Sequence, residues 1–265
     1  MALAAVLPTL FLAHGAPTLA LEGGAWGSRL AELGPRLRPL RAVLVCSAHW
    51  ETPDGFRVGS GARPTTLHDF GGFPEPLYRL QYPTPGEPAL ARRVVDLLTE
   101  AGLEARVDPA RGLDHGVWVP LRHLFPQADI PVVPLSLPQP RDPRLLHRAG
   151  QALAPLRKEG VLILGSGGLV HNLGRLDWEG SAPTPDWAAA FENWILDRLA
   201  SHPTGAVDWS PAPGAPLAVP TSEHLDPLWL ARGAAEGLPP QSLFEGWQFG
   251  NLSLRCLRFG EQTFA

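Results

Sequence analysis

The chain has 265 residues, 45% of them hydrophobic, with 30 prolines, 28 glycines, two cysteines and a formal net charge of −4. A chain of that size buries roughly 70–75% of the surface its unfolded form exposes, so the fold requires neither metal nor disulfide staples. The charges are interspersed, no basic block draws the protein to nucleic acid or an anionic membrane, and no run reaches the roughly 20 apolar residues of a membrane span.

The opening stretch, MALAAVLPTLFLAHGAP, has the apolar character of a signal peptide but no positively charged start. Its apolar run leads straight into His14, so it reads as a retained strand at Thr9–Ala13. Short apolar runs then mark strands at Ala42–Cys46, Phe56–Gly59, Val132–Leu135 and Val161–Leu164, and near Asn251–Phe259. Helical periodicity marks Trp26–Leu33, Pro88–Ala101, Val119–Leu124, Arg144–Lys158, Thr184–Ala200 and Leu225–Ala235. No linker or repeat divides the chain, and the alternation predicts one domain over 1–265. Its fold class is α/β, a single-domain three-layer α/β/α with a central mostly parallel or mixed sheet. Within the fifth helix Trp187, Phe191, Trp194, Ile195 and Leu199 form one apolar face against that sheet.

The glycine-rich stretch VLILGSGGLVHNLG, 161–174, follows a strand, where a phosphate loop is expected. No Gly-Lys-Ser/Thr closes it, and Val170 stands where a dinucleotide fingerprint needs glycine. Leu164 likewise breaks the nucleophile-elbow pattern around Ser166. The glycines are instead expected to turn the chain sharply and deliver His171.

Histidines recur at that topological place. His14 follows TLFLA, His49 follows AVLVC as SAHW, and His171 follows VLILG, while His224 stands in PTSEHLDPL at a loop-to-helix entry. His115, in GLDHGVWVPL, lies in a loop before a helix. In a parallel sheet the carboxyl ends of the strands share one rim, where ligands bind. Neutral imidazoles gathered there suit Zn or Fe(II) better than Mg or Ca. His68 and His123 have weaker claims, and His147 and His202 are expected in solvent. Cys46 and Cys256 are expected as buried thiols, and such sparse cysteine suits a reducing cytoplasm.

Taken in order, HGAP, SAHW, HDFGGFPEPLY (68–78), LDHGVWVPL, GSGGLVHNLG and TSEHLDPL run from residue 14 to about 228. Jointly they resemble the class III extradiol ring-cleavage dioxygenases, in the branch of the DOPA 4,5-dioxygenases and their bacterial relatives. The resemblance implies one divalent metal per chain, Fe(II) for dioxygenase activity, with Zn(II) as an alternative bound ion. It assigns His14 and His49 as metal ligands, His171 as acid/base or as a further ligand, and His115 as a catalytic group near the substrate oxygen and O2. His224 is chosen by resemblance as the last ligand, although Glu223 beside it is the carboxylate of a two-His facial triad; neighbours in a helical turn point about 100° apart, so only one faces the ion.

Ser47 and Asn172 are expected to orient ligands, Asp114 to fix the tautomer of His115, and the 68–76 loop to form a lid or aromatic wall. The implied partners are a small aromatic diol and O2, in a monomer or small homo-oligomer. None of Arg57, Arg63, Arg79 or Arg175 is placed by spacing as a clamp for a substrate carboxylate. Two other readings stand beside this one: a zinc hydrolase whose ion activates water, and a non-catalytic scaffold that binds metal or peptide in the same cleft.

Overall fold

Residues 6–261 are described by a computed structural model of the chain. The first five residues of the opening apolar run lie outside that range. Strand β1 (Thr9–Ala13) is followed by α1 (Gly24–Arg36), β2 (Ala42–Thr52), β3 (Phe56–Gly59), α2 (Glu75–Tyr78), α3 (Pro88–Glu100) and β4 (Ala105–Asp108). Then come α4 (His115–Leu124), β5 (Val132–Pro138), α5 (Pro143–Leu153), β6 (Val161–Gly167), α6 (Asp186–Ser201), α7 (Ala215–Ala218) and α8 (Asp226–Ala234). The chain closes with β7 (Pro240–Phe244), β8 (Trp247–Gln248), β9 (Leu252–Ser253) and β10 (Cys256–Phe259).

Eight strands form one sheet in the order β4-β3-β5-β2-β6-β1-β10-β7. The central four, β5, β2, β6 and β1, are mutually parallel, and β3 and β10 join them antiparallel. The sheet is therefore mixed, with a parallel centre. Parallel strands are buried on both faces and read as continuous apolar runs; β5 and β6 are buried at every position. One core cluster joins Phe11, Leu44 and Ile163 to Phe191, Leu228 and Trp229. A second joins Leu10, Val43 and Leu162 to Trp26, Leu30 and Trp118. Alternate residues of the same strands supply opposite clusters, and this places helices on both faces, as expected of a three-layer α/β/α fold.

The core strands begin where the apolar runs begin, but several elements extend further. Strand β2 runs to Thr52, and its pairing with β5 breaks between Cys46 and Glu51. His49 therefore lies inside a strand, at an irregularity of the kind that re-aims a side chain, rather than beyond the strand's end. Helix α4 begins at His115 because Asp114 caps it, accepting from the Val117 amide at 3.2 Å. His115 is thus a buried helix residue, 6% exposed, and not a loop residue. The helix expected over 144–158 ends at Leu153, and a 3-10 segment containing Pro155 takes over, since proline cannot continue the hydrogen-bond ladder. The edge strands β4 and β7 were not expected from the sequence.

Candidate metal centre

Five histidines converge over the carboxyl rim of the parallel strands. His14 directly follows β1, and its amide donates to the Gly167 carbonyl at the end of β6 (3.2 Å). His49 sits on the irregular end of β2, His115 opens α4, His171 follows β6, and His224 ends a 3-10 turn ahead of α8. His14 Nε2 and His49 Nε2 are 3.0 Å apart. The His14, His49 and His224 rings form a near-even triangle with centroid separations of 4.9, 4.9 and 5.3 Å. His115 lies 4.0 Å from His49, and His171 stacks on His224 at 3.4 Å with the planes only 7° apart. All the histidines singled out from the sequence are brought together here.

The glycines of the 161–174 stretch act differently from expectation. A Cβ on Gly167 would meet the His224 carbonyl oxygen at 2.0 Å, and one on Gly165 the Pro227 carbonyl oxygen at 2.3 Å. The Gly168 amide donates to the same His224 carbonyl (2.8 Å). These glycines let the 222–227 segment press against β6, and that close approach sets the position of His224. His171 is fixed separately, its amide donating to the Ala218 carbonyl (2.9 Å).

Three of the rings have a hydrogen-bond partner behind them. His14 Nδ1 lies 3.0 Å from Ser166 Oγ, and His224 Nδ1 lies 3.1 Å from Glu223 Oε1. The Glu223 carboxylate is itself held by Thr221 Oγ1 (2.9 Å) and lies 3.6 Å from Arg141. Asp69 engages His115 twice: Oδ1 accepts from the backbone amide (2.8 Å) and Oδ2 lies 3.0 Å from Nδ1. Sequence reasoning assigned that role to Asp114 and missed Asp69. Asp114 instead caps α4, accepts from Ser47 Oγ (2.6 Å) and pairs with Arg111 (2.6 Å). The Ser47 hydroxyl thus serves Asp114 and the His49 amide (3.2 Å) rather than an imidazole. Asn172 caps a 3-10 turn and donates to the Leu217 carbonyl (2.8 Å), with no contact to a ligand side chain. Of the remaining histidines, His123 Nε2 meets the Leu19 carbonyl and His68 Nε2 the Leu80 carbonyl, both away from the cluster. His202 is exposed as expected, whereas His147 is half-buried and accepts from the Gly205 amide.

Electrostatics favour the neutral form of four of these imidazoles. Burial, reinforced by neighbouring imidazoles, holds His14 and His224 well below the ordinary imidazole range. Burial and the adjacent His115 bring His49 down to about 3, and burial brings His171 to about 4. Burial works to raise Asp69, but its hydrogen bonds to His115 outweigh it and leave the carboxyl at about 2. An ionised carboxylate only accepts, so Nδ1 of His115 carries the proton of that bond.

These residues fit a transition-metal ion. His14, His49 and His115 each offer a nitrogen within 4.8 Å of the others, and a second group at the same spacing comprises nitrogens of His171 and His224 and a carboxylate oxygen of Glu223. Nε2 of His224 is buried without a hydrogen-bond partner. Two nitrogens at about 2.0–2.1 Å from one tetrahedral ion stand about 3.3 Å apart, close to the His14–His49 separation. Buried neutral imidazoles backed by Ser166 and Glu223 are the donor chemistry such an ion requires.

His49, His115, His171 and His224 form one wall of a cavity of about 650 Å³, whose other walls include Phe70, Phe73, Leu176, Trp178 and Phe249. The loop expected as a lid or aromatic wall thus contributes two of its rings. No helix among the described residues is long and apolar enough to cross a membrane.

This arrangement, an imidazole cluster at the mouth of a mixed α/β sheet, is that of a metalloprotein site. Residues 8–253 match the family described as the catalytic LigB subunit of aromatic ring-opening dioxygenase, and the chain belongs to that family. It is 38% identical over 262 residues to a 4,5-DOPA dioxygenase extradiol of Escherichia coli K12, covering 96% of this chain and 95% of the relative. It is 39% identical over 267 residues to the enzyme of the same name from Beta vulgaris, covering 95% and 96%. A crystal structure of an uncharacterized Escherichia coli K12 protein superposes with a TM-score of 0.79 at 35% identity, covering 96% of this chain and all of that one. The chain is a metal-dependent extradiol ring-opening dioxygenase.

Proposed function

We propose that the whole chain, 1–265, works as one catalytic domain that opens the ring of a small, DOPA-sized catechol with O2, using Fe(II) held by His14, His49 and His224. The observation that carries the ligand choice is the buried, unpartnered Nε2 of His224, whose Nδ1 is backed by Glu223. In that reading Glu223 orients His224 and is not itself a ligand, and His171 becomes a fourth ligand only with Zn(II), which favours a closed four-coordinate site. Bound Fe(II) supplies the electron transfer between catechol and O2 that Zn(II), without redox chemistry, does not.

The chain's own residues manage protons and orientation. His171 is held neutral, so a ring nitrogen is free to take the proton of one catechol hydroxyl. His115 lines the cavity with its Nδ1 proton committed to Asp69, which leaves the lone pair of Nε2 to accept a proton or hydrogen bond from the substrate. His171 returns its proton as the carbon–carbon bond beside the diol breaks and both oxygen atoms of O2 enter the product. Phe70, Phe73 and Trp178 exclude water from these transfers. The two free, buried cysteines, Cys46 and Cys256, suit the reducing cytoplasm in which Fe(II) persists.

The test is oxygen uptake after the protein is stripped and reloaded anaerobically with Fe(II) or, separately, Zn(II). Uptake with a coloured ring-opened product in the Fe(II) sample alone supports the reading; turnover without O2 in the Zn(II) sample replaces it with a hydrolase.

A further inference from the structure

We propose that the cavity selects catechols whose ring substituent is uncharged and apolar; this rests on the ring-opening reading above. The DOPA named for the similar enzymes carries a carboxylate and an ammonium group; the walls here offer the carboxylate no cationic side chain and the ammonium group only a carboxylate already engaged by His115. Beyond the histidines, Asp69 and Thr18, the side chains that line the cavity are apolar, chief among them Phe70 and Phe73 on one loop, Leu173, Leu176 and Trp178 on a second, and Phe249 on a third. No arginine or lysine is among the described residues that line it.

Three arginines of the surrounding elements are occupied elsewhere. Arg111 pairs with Asp114 at 2.6 Å, Arg79 with Glu75 at 3.2 Å, and Arg141 with Glu51 at 2.7 Å. Arg175 is exposed and lies off the lining, although its neighbours Leu173 and Leu176 are on it. The one carboxylate on the wall, Asp69, has both oxygens engaged by His115. Each of those oxygens already holds one hydrogen bond, which leaves an ammonium group only the remaining lone pairs, and the negative charge repels a substrate carboxylate. A charged group in such a pocket would lose its hydration without compensation.

The surface at the mouth points the same way. Trp178 is 59% exposed and Leu173 61%, and both are among the few large apolar side chains that the described residues leave in solvent. The Trp178 ring stands 5.0 Å from that of Phe249, tilted 47°. At about 650 Å³ the cavity exceeds what a bare diol ring fills. The space left over lies against these apolar walls, where an alkyl or aryl substituent would cover Trp178 and Leu173.

The experiment compares 4-tert-butylcatechol and 4-phenylcatechol with L-DOPA, 3,4-dihydroxyphenylpropionate and dopamine. It measures kcat/KM on the Fe(II)-loaded enzyme and, independently of turnover, Kd on the Zn(II)-loaded protein by equilibrium dialysis. The neutral catechols are expected to lead by at least about tenfold in both, equivalent to about 1.4 kcal/mol. Trp178→Ala is expected to narrow the ratio between 4-phenylcatechol and unsubstituted catechol. Preference for L-DOPA, the propionate or dopamine, or equal affinity across the set, overturns the proposal. An anionic preference that Arg175→Ala removes overturns it as well, by making Arg175 the clamp. If no catechol is opened but the neutral ones bind more tightly, the selectivity stands and the ring-opening reading fails.

Discussion

Asp69 holds His115 at two points, the backbone amide through Oδ1 and Nδ1 through Oδ2, and Oδ2 also lies 3.7 Å from Nδ1 of His49. One carboxylate therefore fixes the start of α4, the tautomer of one imidazole and the outer side of another. Asp69→Asn keeps an oxygen for the amide but loses the ionised acceptor. We expect kcat/KM to fall by roughly 10–100-fold, the usual cost of removing a carboxylate behind a working histidine. Steady-state oxygen uptake at matched Fe(II) content checks it, and unchanged kinetics would remove Asp69 from the machinery.

Metal content separates ligands from bases. His14→Ala, His49→Ala and His224→Ala are each expected to lose most bound metal, whereas His171→Ala retains it and loses ring opening. Elemental analysis of purified, reloaded protein decides the matter residue by residue. Full occupancy in any of the first three would exclude that histidine from the ligand set.

Glu223 backs His224 without facing the cavity. Glu223→Gln should weaken metal affinity by roughly 10–100-fold while turnover at saturating Fe(II) changes little. Competition with a chelator measures the first and oxygen uptake the second. A total loss of metal would make Glu223 itself a ligand.

In the metal-free protein the imidazoles predict a pH dependence of stability. His49 and His171 are depressed to about 3 and about 4, and His14 and His224 are lowered too, so all four are neutral in the folded state through pH 7 to 5. In the unfolded chain they take up protons below about 6.5. The unfolded state then binds more protons, and stability falls as pH drops from about 7 towards 4, by about 1.4 kcal/mol per pH unit for each such group. Burial raises Asp226 to about 7, which stabilises its protonated form and opposes this trend between about 4 and 7. The histidines outnumber it. Urea midpoints of metal-free protein at pH 7.5 and 5.5 should therefore differ in favour of the higher pH.

Gly167→Ala places a methyl group 2.0 Å from the His224 carbonyl oxygen, which is backbone and cannot swing aside. The substitution should cost about 1–3 kcal/mol of stability and lower metal occupancy, because His224 must move. A thermal melt and elemental analysis on one sample report both, and a wild-type melt would show that the contact relaxes freely.

What the sequence made legible follows from which physical signals are local. The fully buried central strands announce themselves as apolar runs, so His14 and His171 could be placed at their ends from the residues alone. The edge strands β4 and β7 are half-exposed, and β7 begins with Pro240, so neither carries such a run. Asp69 could not be identified that way because its partner lies 46 residues along the chain, in a loop without periodicity. The one signal available was its place in the HDFGGFPEPLY stretch. The separation of Glu223 from His224 needed coordinates for the same reason: it rests on where a neighbouring ring's second nitrogen points.

The donors lie far apart in the chain, with His14 and His49 alone separated by 35 residues, and each is carried on a different element. A single ion at their centre would rivet the start of the chain to the residues just before α8, closing loops that packing alone must otherwise hold shut. Metal supply would then set how long the folded protein survives as well as how fast it works, since an ion that binds only the folded state stabilises it in proportion to the logarithm of its concentration. Starved of metal, the molecule would lose its chemistry and its tightest cross-link together.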